Sequence, residues 1–444
     1  MTTDLIQLRT IKYLSVSSMA TGAISILGSL AYILTYYGVS SEVILYLTIL
    51  ILGMSYMTLV VKYDITVLLI LIIYSRVIVG YSASGNNSVY NILNFLVNYL
   101  PFILCLKIPN LRLSIKRKYT IIYVFCMFLS LLLASSWSTP TFIKRFIPML
   151  FFVCMAHNKI TINAKVFLFV FFNLGLATIL ILLTTEYSTI SLELLGSGKV
   201  FKTKSEFIPS LADLVRVTGP FYDPRIFGLF LNISLVYAFR YSEKGLIRSL
   251  TIVLSLLLLG LSLSRGGILT GLIIVIYHYY QVARIRLLIG LSGLALFAGL
   301  LFFDELLDLY DDIFNFGGNN PLQQRSGFIV TGLKMFISRP WGHGLGYLTN
   351  LTEGVVVGSA TYYYITDAFY SIQLVELGII GFFAFILSTV EIFIYKKDEY
   401  LKVFSVGLII QMIGTDIPDF AMYYLLFLMI IVRLNSIKSC HTMY

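Results

Sequence analysis

Long uncharged apolar stretches recur along the whole chain, and few folds can absorb them. Val166–Thr184 and Leu287–Phe303 are examples. A helical bilayer crossing takes about 20 mostly apolar residues. In lipid, every backbone polar group must be satisfied within such a segment. A β-barrel would instead show short alternating segments. Charged residues make up only 12% of the 444 residues, and 58% are hydrophobic, whereas globular domains carry about 25% charged residues. The sequence therefore predicts an all-α polytopic integral membrane protein with about 12–14 transmembrane helices. The polar segment Met1–Lys12 lacks a cleavable signal pattern, so the first apolar stretch is expected to remain as a span.

The spans are expected near Tyr13–Tyr36, Val43–Val61, Ile65–Ser84, Val89–Leu106, Thr120–Ser136, Phe146–His157, Val166–Thr184, Ile226–Phe239, Leu250–Leu263, Ile268–Tyr280, Leu287–Phe303, Ala368–Tyr395, Val403–Thr415 and Ala421–Val432. Both termini are expected in the cytoplasm. About 20 of the 32 basic residues then fall in cytoplasmic loops, as the positive-inside rule requires. The basic balance of +10 thus follows membrane topology, and no nucleic-acid partner is indicated. Cys105, Cys126, Cys154 and Cys440 lack a plausible external pairing, so no disulfide is expected.

This topology divides the chain into five parts. Residues 1–185 are N-terminal membrane helices and 186–221 a first external loop. Residues 222–303 are further membrane helices, 304–366 a large external loop, and 367–444 the C-terminal membrane helices. Within the large loop, Asp304–Phe316 has the pattern of an amphipathic helix lying on the membrane. Gly317-Gly318-Asn319-Asn320-Pro321 breaks it, and Arg325–Ser338 reads as a second helix.

Arg265 stands out in this frame. It lies in Ser262-Leu-Ser-Arg-Gly-Gly267, between the apolar runs Thr251–Leu261 and Ile268–Tyr277. Together the runs are too long for one crossing and suit two short ones, so the chain is expected to turn here. A charge at such a place is costly unless it meets an interface or a polar cavity, and guanidinium suits phosphate and pyrophosphate. Gly266 and Gly267 permit close approach and leave amides at the next helix's start, which favours anions. An arginine snorkelling to the interface is the plainer alternative.

Three other constellations accompany it. Gly219-Pro-Phe-Tyr-Asp-Pro-Arg-Ile-Phe-Gly228 leads into a span and carries Asp223 and Arg225; Asp223 also suits an N-cap, with Pro224 at the first helical position. Arg325 and Arg339 flank the second loop helix, followed by Pro340-Trp-Gly-His-Gly-Leu-Gly346. His343, placed outside, can act as a general base or pack on Trp341. Asp367 marks the return to the membrane, with Glu376 about two and a half turns deeper. Asp367 could accept a proton or cap the helix, and Glu376 could pair with Arg76. The chain contains no P-loop, no HExxH and no external Asp-x-Asp beside a nucleotide pocket, so neither metal nor cofactor is expected.

Taken in order, these motifs resemble the O-antigen polymerase and O-antigen ligase superfamily of bacterial inner membranes. The elements are an Asp-Pro-x-x-x-Gly start to a span, a Ser-x-Ser-Arg-Gly-Gly turn, an external loop with Arg, helix and Pro-x-Gly-x-Gly-x-Gly, and a closing Glu-x-Gly-x-x-Gly helix. They cover about Gly219–Gly381; the first half matches in hydropathy only. The resemblance implies a GT-C-like membrane glycosyltransferase acting at the periplasmic face. It would move a glycan from undecaprenyl pyrophosphate to an acceptor hydroxyl, without metal or nucleotide. Arginines take the place of a cation on the pyrophosphate, by position Arg225, Arg265 and Arg325, with Arg339 as a further candidate. Asp223 and Gly266 are expected beside them. In ligases a histidine typically stands eleven residues before the glycine of Glu-x-Gly; this chain has Asp367 there, counting back from Gly378. That departure favours a polymerase and leaves the base between Asp367 and His343. A chain-length regulator is the expected protein partner. The alternatives are a glycan ligase or, from another class, a lipid-linked oligosaccharide flippase.

Overall fold

The computed structural model describes residues 22–31, 33–34, 51, 118–133, 164–184, 217, 219, 224–240, 246–262, 264–281, 321–348, 355–357, 360–362, 369–394 and 399–413. Nearly all of them are helical. The helices are α1 (Gly22–Ala31), α2 (Lys118–Leu133), α3 (Ala164–Thr184), α4 (Pro224–Arg240), α5 (Leu246–Ser262), α6 (265–281), α7 (Pro321–Ser338), α8 (Phe369–Ile394) and α9 (Glu399–Ile413). Two three-residue strands, β1 (Val355–Val357) and β2 (Ala360–Tyr362), pair antiparallel with Val357 opposite Ala360. The expected spans that overlap described residues coincide with α2 to α6, α8 and α9 to within a few residues, and α1 lies within the expected span Tyr13–Tyr36. The hairpin has no counterpart in the sequence reading. The expected spans at Val43–Val61, Ile65–Ser84, Val89–Leu106, Phe146–His157, Leu287–Phe303 and Ala421–Val432, and the amphipathic segment Asp304–Phe316, lie outside the described residues, save for Ile51.

Helices α3 to α6 and α9 form one packed group. The chain reverses between α5 and α6, where Gly271 lies against Leu259. Helices α4 and α6 run parallel: Gly228 meets Gly267, Asn232 meets Gly271, and Phe239 stacks on His278 with ring centroids 4.1 Å apart. Each of these pairs has the same separation in sequence, so the register is constant along both helices. Small residues at the crossing let the backbones approach closely, the usual packing device where lipid removes the hydrophobic drive between helices. A Cβ added at Gly267 would stand 3.2 Å from the Gly228 Cα. Helix α9 runs antiparallel to α6, with Gln411 against Gly266 and Gly407 against Thr270. Phe171 of α3 packs on Phe230 and Tyr237 of α4, at 4.6 and 6.2 Å between centroids.

The second group is α2, α7 and α8. By length and composition, Tyr370–Ser388 in α8 is the one helical stretch among the described residues long and apolar enough to cross a membrane. It is not straight. Gly378 has φ 68° and ψ −172°, which breaks the helix into a first leg before it and a second leg after it. Along a straight helix Tyr370 and Phe385 would stand about 22 Å apart, yet their ring centroids are 6.4 Å apart. Tyr123 of α2 fills the inside of this elbow. Its hydroxyl donates to Gln373 Oε1 at 2.7 Å, and its ring lies 5.4 Å from that of Phe385. Glu376 is therefore the second residue before the elbow, at the end of the first leg.

Large apolar side chains line exposed faces of α2 and α5, among them Phe125, Leu132, Ile247 and Val253. Contiguous exposure of this kind is unusual for a water-facing surface. The architecture is all-helical in its long elements and compatible with an α-helical membrane protein. Cys126 is a free thiol.

Candidate anion-binding site at one end of the helix group

The parallel packing of α4 and α6 brings their two N-termini to one end. Helix α4 begins at Pro224, the first helical position expected from the sequence, and Arg225 follows. Helix α6 begins at Arg265, and Ser264 precedes it as cap: the Ile268 amide donates to the Ser264 carbonyl at 2.7 Å. The Gly228–Gly267 contact lies one turn or less beyond both arginines. Two helix N-termini, each with an arginine in its first turn, thus stand side by side. Such termini expose unsatisfied amides and the positive ends of the helix dipoles. Neither arginine gains from those dipoles, whereas an anion at the paired N-termini would be favoured by both. Arg265 is exposed and Arg225 half-buried.

Gln411, near the C-terminal end of α9, joins the two motifs. Its Nε2 donates to the Arg225 carbonyl at 3.3 Å, and its side chain covers Gly266. A Cβ at Gly266 would stand 2.8 Å from Gln411 Cγ, so the role visible for Gly266 is packing against α9. One turn deeper, Asn232 Nδ2 donates to the Gly267 carbonyl at 2.8 Å. Asn232 Oδ1 and Gln411 Oε1 are both buried with no partner among the described residues, which makes them places for an ordered water. Sequence reasoning passed over both residues. Their signal was an uncharged polar residue within an apolar run.

The first leg of α8 reaches the same end. The Tyr370 hydroxyl donates to the Ile409 carbonyl at 3.2 Å, two residues from Gln411. Asp367 precedes Tyr370 by three residues; it and Asp223 lie outside the described residues. Arg325 sits in the second turn of α7, and Arg339 follows that helix, half-buried.

His343 belongs to a different assembly at the elbow. The segment Pro340–Leu348 docks on the break in α8 and satisfies its backbone. The His343 amide donates to the Val375 carbonyl at 2.9 Å, the Gly344 amide to the Glu376 carbonyl at 3.0 Å, and the Ile379 amide to the Pro340 carbonyl at 3.0 Å. The Glu376 carboxylate is buried and accepts from the Leu348 amide at 3.2 Å. The glycine-rich motif and the Glu-x-Gly motif are thus two halves of one lock. The His343 ring stacks on Tyr347 at 4.4 Å, and its Nε2 lies 3.0 Å from the Met335 carbonyl. A carbonyl only accepts, so Nε2 carries the proton there and Nδ1 is the nitrogen able to accept one. The ring packs on Tyr347, and Trp341 is exposed.

At the opposite end of α6, His278 Nδ1 and the Tyr400 hydroxyl are 2.5 Å apart, beside Phe239. This cluster ties α4, α6 and α9 together far from the arginines. Among the described residues, no group of His, Cys, Asp or Glu could hold a metal ion. No protein-family model matches the chain, and no curated protein sequence matches it.

Proposed function

We propose that this chain is a multi-pass glycosyltransferase of the bacterial inner membrane, of the O-antigen polymerase type, with about 12–14 spans and its active site on the periplasmic side. It joins repeat units carried on undecaprenyl pyrophosphate. The observation that carries this reading is the pairing of Arg225 and Arg265 at two adjacent helix N-termini, held by the Gly228–Gly267 contact.

In the reaction an acceptor hydroxyl oxygen attacks the anomeric carbon of the donor. The bond from that carbon to the pyrophosphate oxygen breaks, and the leaving group takes the electron pair. Charge develops on the pyrophosphate as the bond stretches. Arg225 and Arg265, with the helix amides beside them, stabilise that charge from the two adjacent helix starts. Arg325, on α7, and Arg339, just after it, are further basic residues for the donor. Direct displacement inverts the anomeric centre. The hydroxyl proton passes to a carboxylate or imidazole. Asp367 is favoured over His343: it is three residues from Tyr370, which touches α9 near Gln411, whereas His343 is anchored at the elbow by Met335 and Tyr347. A chain-length regulator is the expected partner.

The test is a lipopolysaccharide gel from a strain lacking the gene, beside the complemented strain. Collapse of the ladder to core plus one repeat unit supports a polymerase. Loss of even the single-unit band contradicts it. Long lipid-linked chains on the outer leaflet would then identify a ligase. The break in α8 favours one other reading, because transporters build their sites from discontinuous helices. Single lipid-linked units stranded on the inner leaflet would identify such a flippase.

A further inference from the structure

The outward face of α7 is apolar and has no helix packed on it among the described residues. Phe328, Gly332 and Phe336 turn toward the first leg of α8, where Phe328 packs with Leu348, Ile372 and Val375. Ile329, Val330, Leu333 and Ile337 fall on the other face at helical spacing and are exposed. Ile337 is 72% exposed, and Trp341, just beyond the helix, 71%. Scattered exposed apolar residues are ordinary, but a continuous stripe ending in tryptophan marks a contact surface.

Two observations say what covers it. The first is charge. Residues 321–348 contain Arg325, Lys334 and Arg339 and no Asp or Glu. Lys334 is exposed on the flank of the stripe. This combination suits a surface that is apolar beneath and anionic above. The second is continuity. The Ile379 amide bonds to the Pro340 carbonyl, so Trp341 stands at the elbow of α8. Before the elbow, Tyr370–Gly378 has no exposed residue. Beyond it, Ile379, Ile380, Phe383 and Leu387 are exposed along one stripe. The apolar face of α7 and that of the second leg of α8 meet at Trp341. Tryptophan favours the level where acyl chains give way to headgroups.

We propose that α7 and the Pro340-Trp341 tip lie on the outer surface of the bilayer, docked to anionic phospholipid, with the elbow of α8 at the boundary. This rests on the membrane-embedded reading above and is independent of the chemistry. Lys334 lays its stem along the stripe and its ammonium among the headgroup phosphates. The glycine-rich loop and Arg339 are thereby held at headgroup level, where a lipid-borne pyrophosphate would emerge.

The test uses the full chain with Trp137→Phe, leaving Trp341 as the single tryptophan. It is reconstituted in vesicles of phosphatidylglycerol and phosphatidylcholine, with bromine placed shallow or deep on the acyl chains. Shallow bromine should quench Trp341 severalfold more than deep bromine. Lys334→Glu should weaken that quenching more in the anionic vesicles than in phosphatidylcholine alone. No quenching by either lipid would mean that protein covers the face, and stronger quenching by deep bromine would mean a loop that enters the membrane; either overturns the proposal. Alkaline extraction of the same vesicles separates the two claims. A chain released by alkali overturns the membrane reading itself, whereas a retained chain with unquenched Trp341 overturns only the docking.

Discussion

Gly378 and Gly342 touch backbone to backbone, and no side chain fits at either. A Cβ at Gly378 would stand 2.4 Å from the Trp341 carbonyl carbon, and one at Gly342 2.6 Å from the Glu376 oxygen. Both have positive φ, 68° and 99°. Gly378→Ala therefore adds strain of about 1–3 kcal/mol to a backbone clash that cannot relax by rotation. The purified variant should melt well below the parent in detergent, while Gly260→Ala, which meets open space, should not. Equal melting of the two would refute the lock. Glu376 gives a finer comparison. Glu376→Gln keeps an oxygen for the Leu348 amide and should change little. Glu376→Ala orphans that amide at a cost of about 1–3 kcal/mol, read as a lower melting temperature.

At the scale of elements, the account turns on the α4–α6 crossing. Gly267→Leu forces the two helices apart, an overpacking cost of about 1–3 kcal/mol. It should also move Arg265 away from Arg225 and lower activity beyond what the stability loss explains. Activity unchanged at full expression would remove the crossing from the mechanism. Helix positions and the turn before Arg265 were legible in the sequence because hydropathy fixes where helices run, and serine and proline mark their starts. The elbow was not. Gly378 sits inside an unbroken apolar run, and a glycine there is compatible with a straight helix until a partner claims its backbone. That partner, Pro340–Leu348, is remote in sequence, so the two motifs read as separate features when they are one joint. The place of His343 at that joint, on Tyr347 and Met335, was hidden for the same reason: it depends on a fold that no local pattern specifies.

For the whole molecule, the membrane topology is the broadest claim. In a variant whose native cysteines are serine, Lys334→Cys should react with an impermeant maleimide in intact spheroplasts, and Lys402→Cys only after lysis. The opposite pattern would invert the topology and put the arginines on the wrong face. Part of the proposed site stands out in the sequence. Arg225 and Arg265 do so because a charge beside an apolar run is costly. Asn232 and Gln411 were missed because uncharged polar residues in spans carry a weaker signal. The central claim is that Arg265 supplies charge to a pyrophosphate leaving group, and the most direct measurement is product length in a strain expressing Arg265→Ala at parental level. The account predicts a ladder reduced to core plus a single repeat unit, with partial recovery in Arg265→Lys. A full-length ladder from well-expressed Arg265→Ala would contradict it.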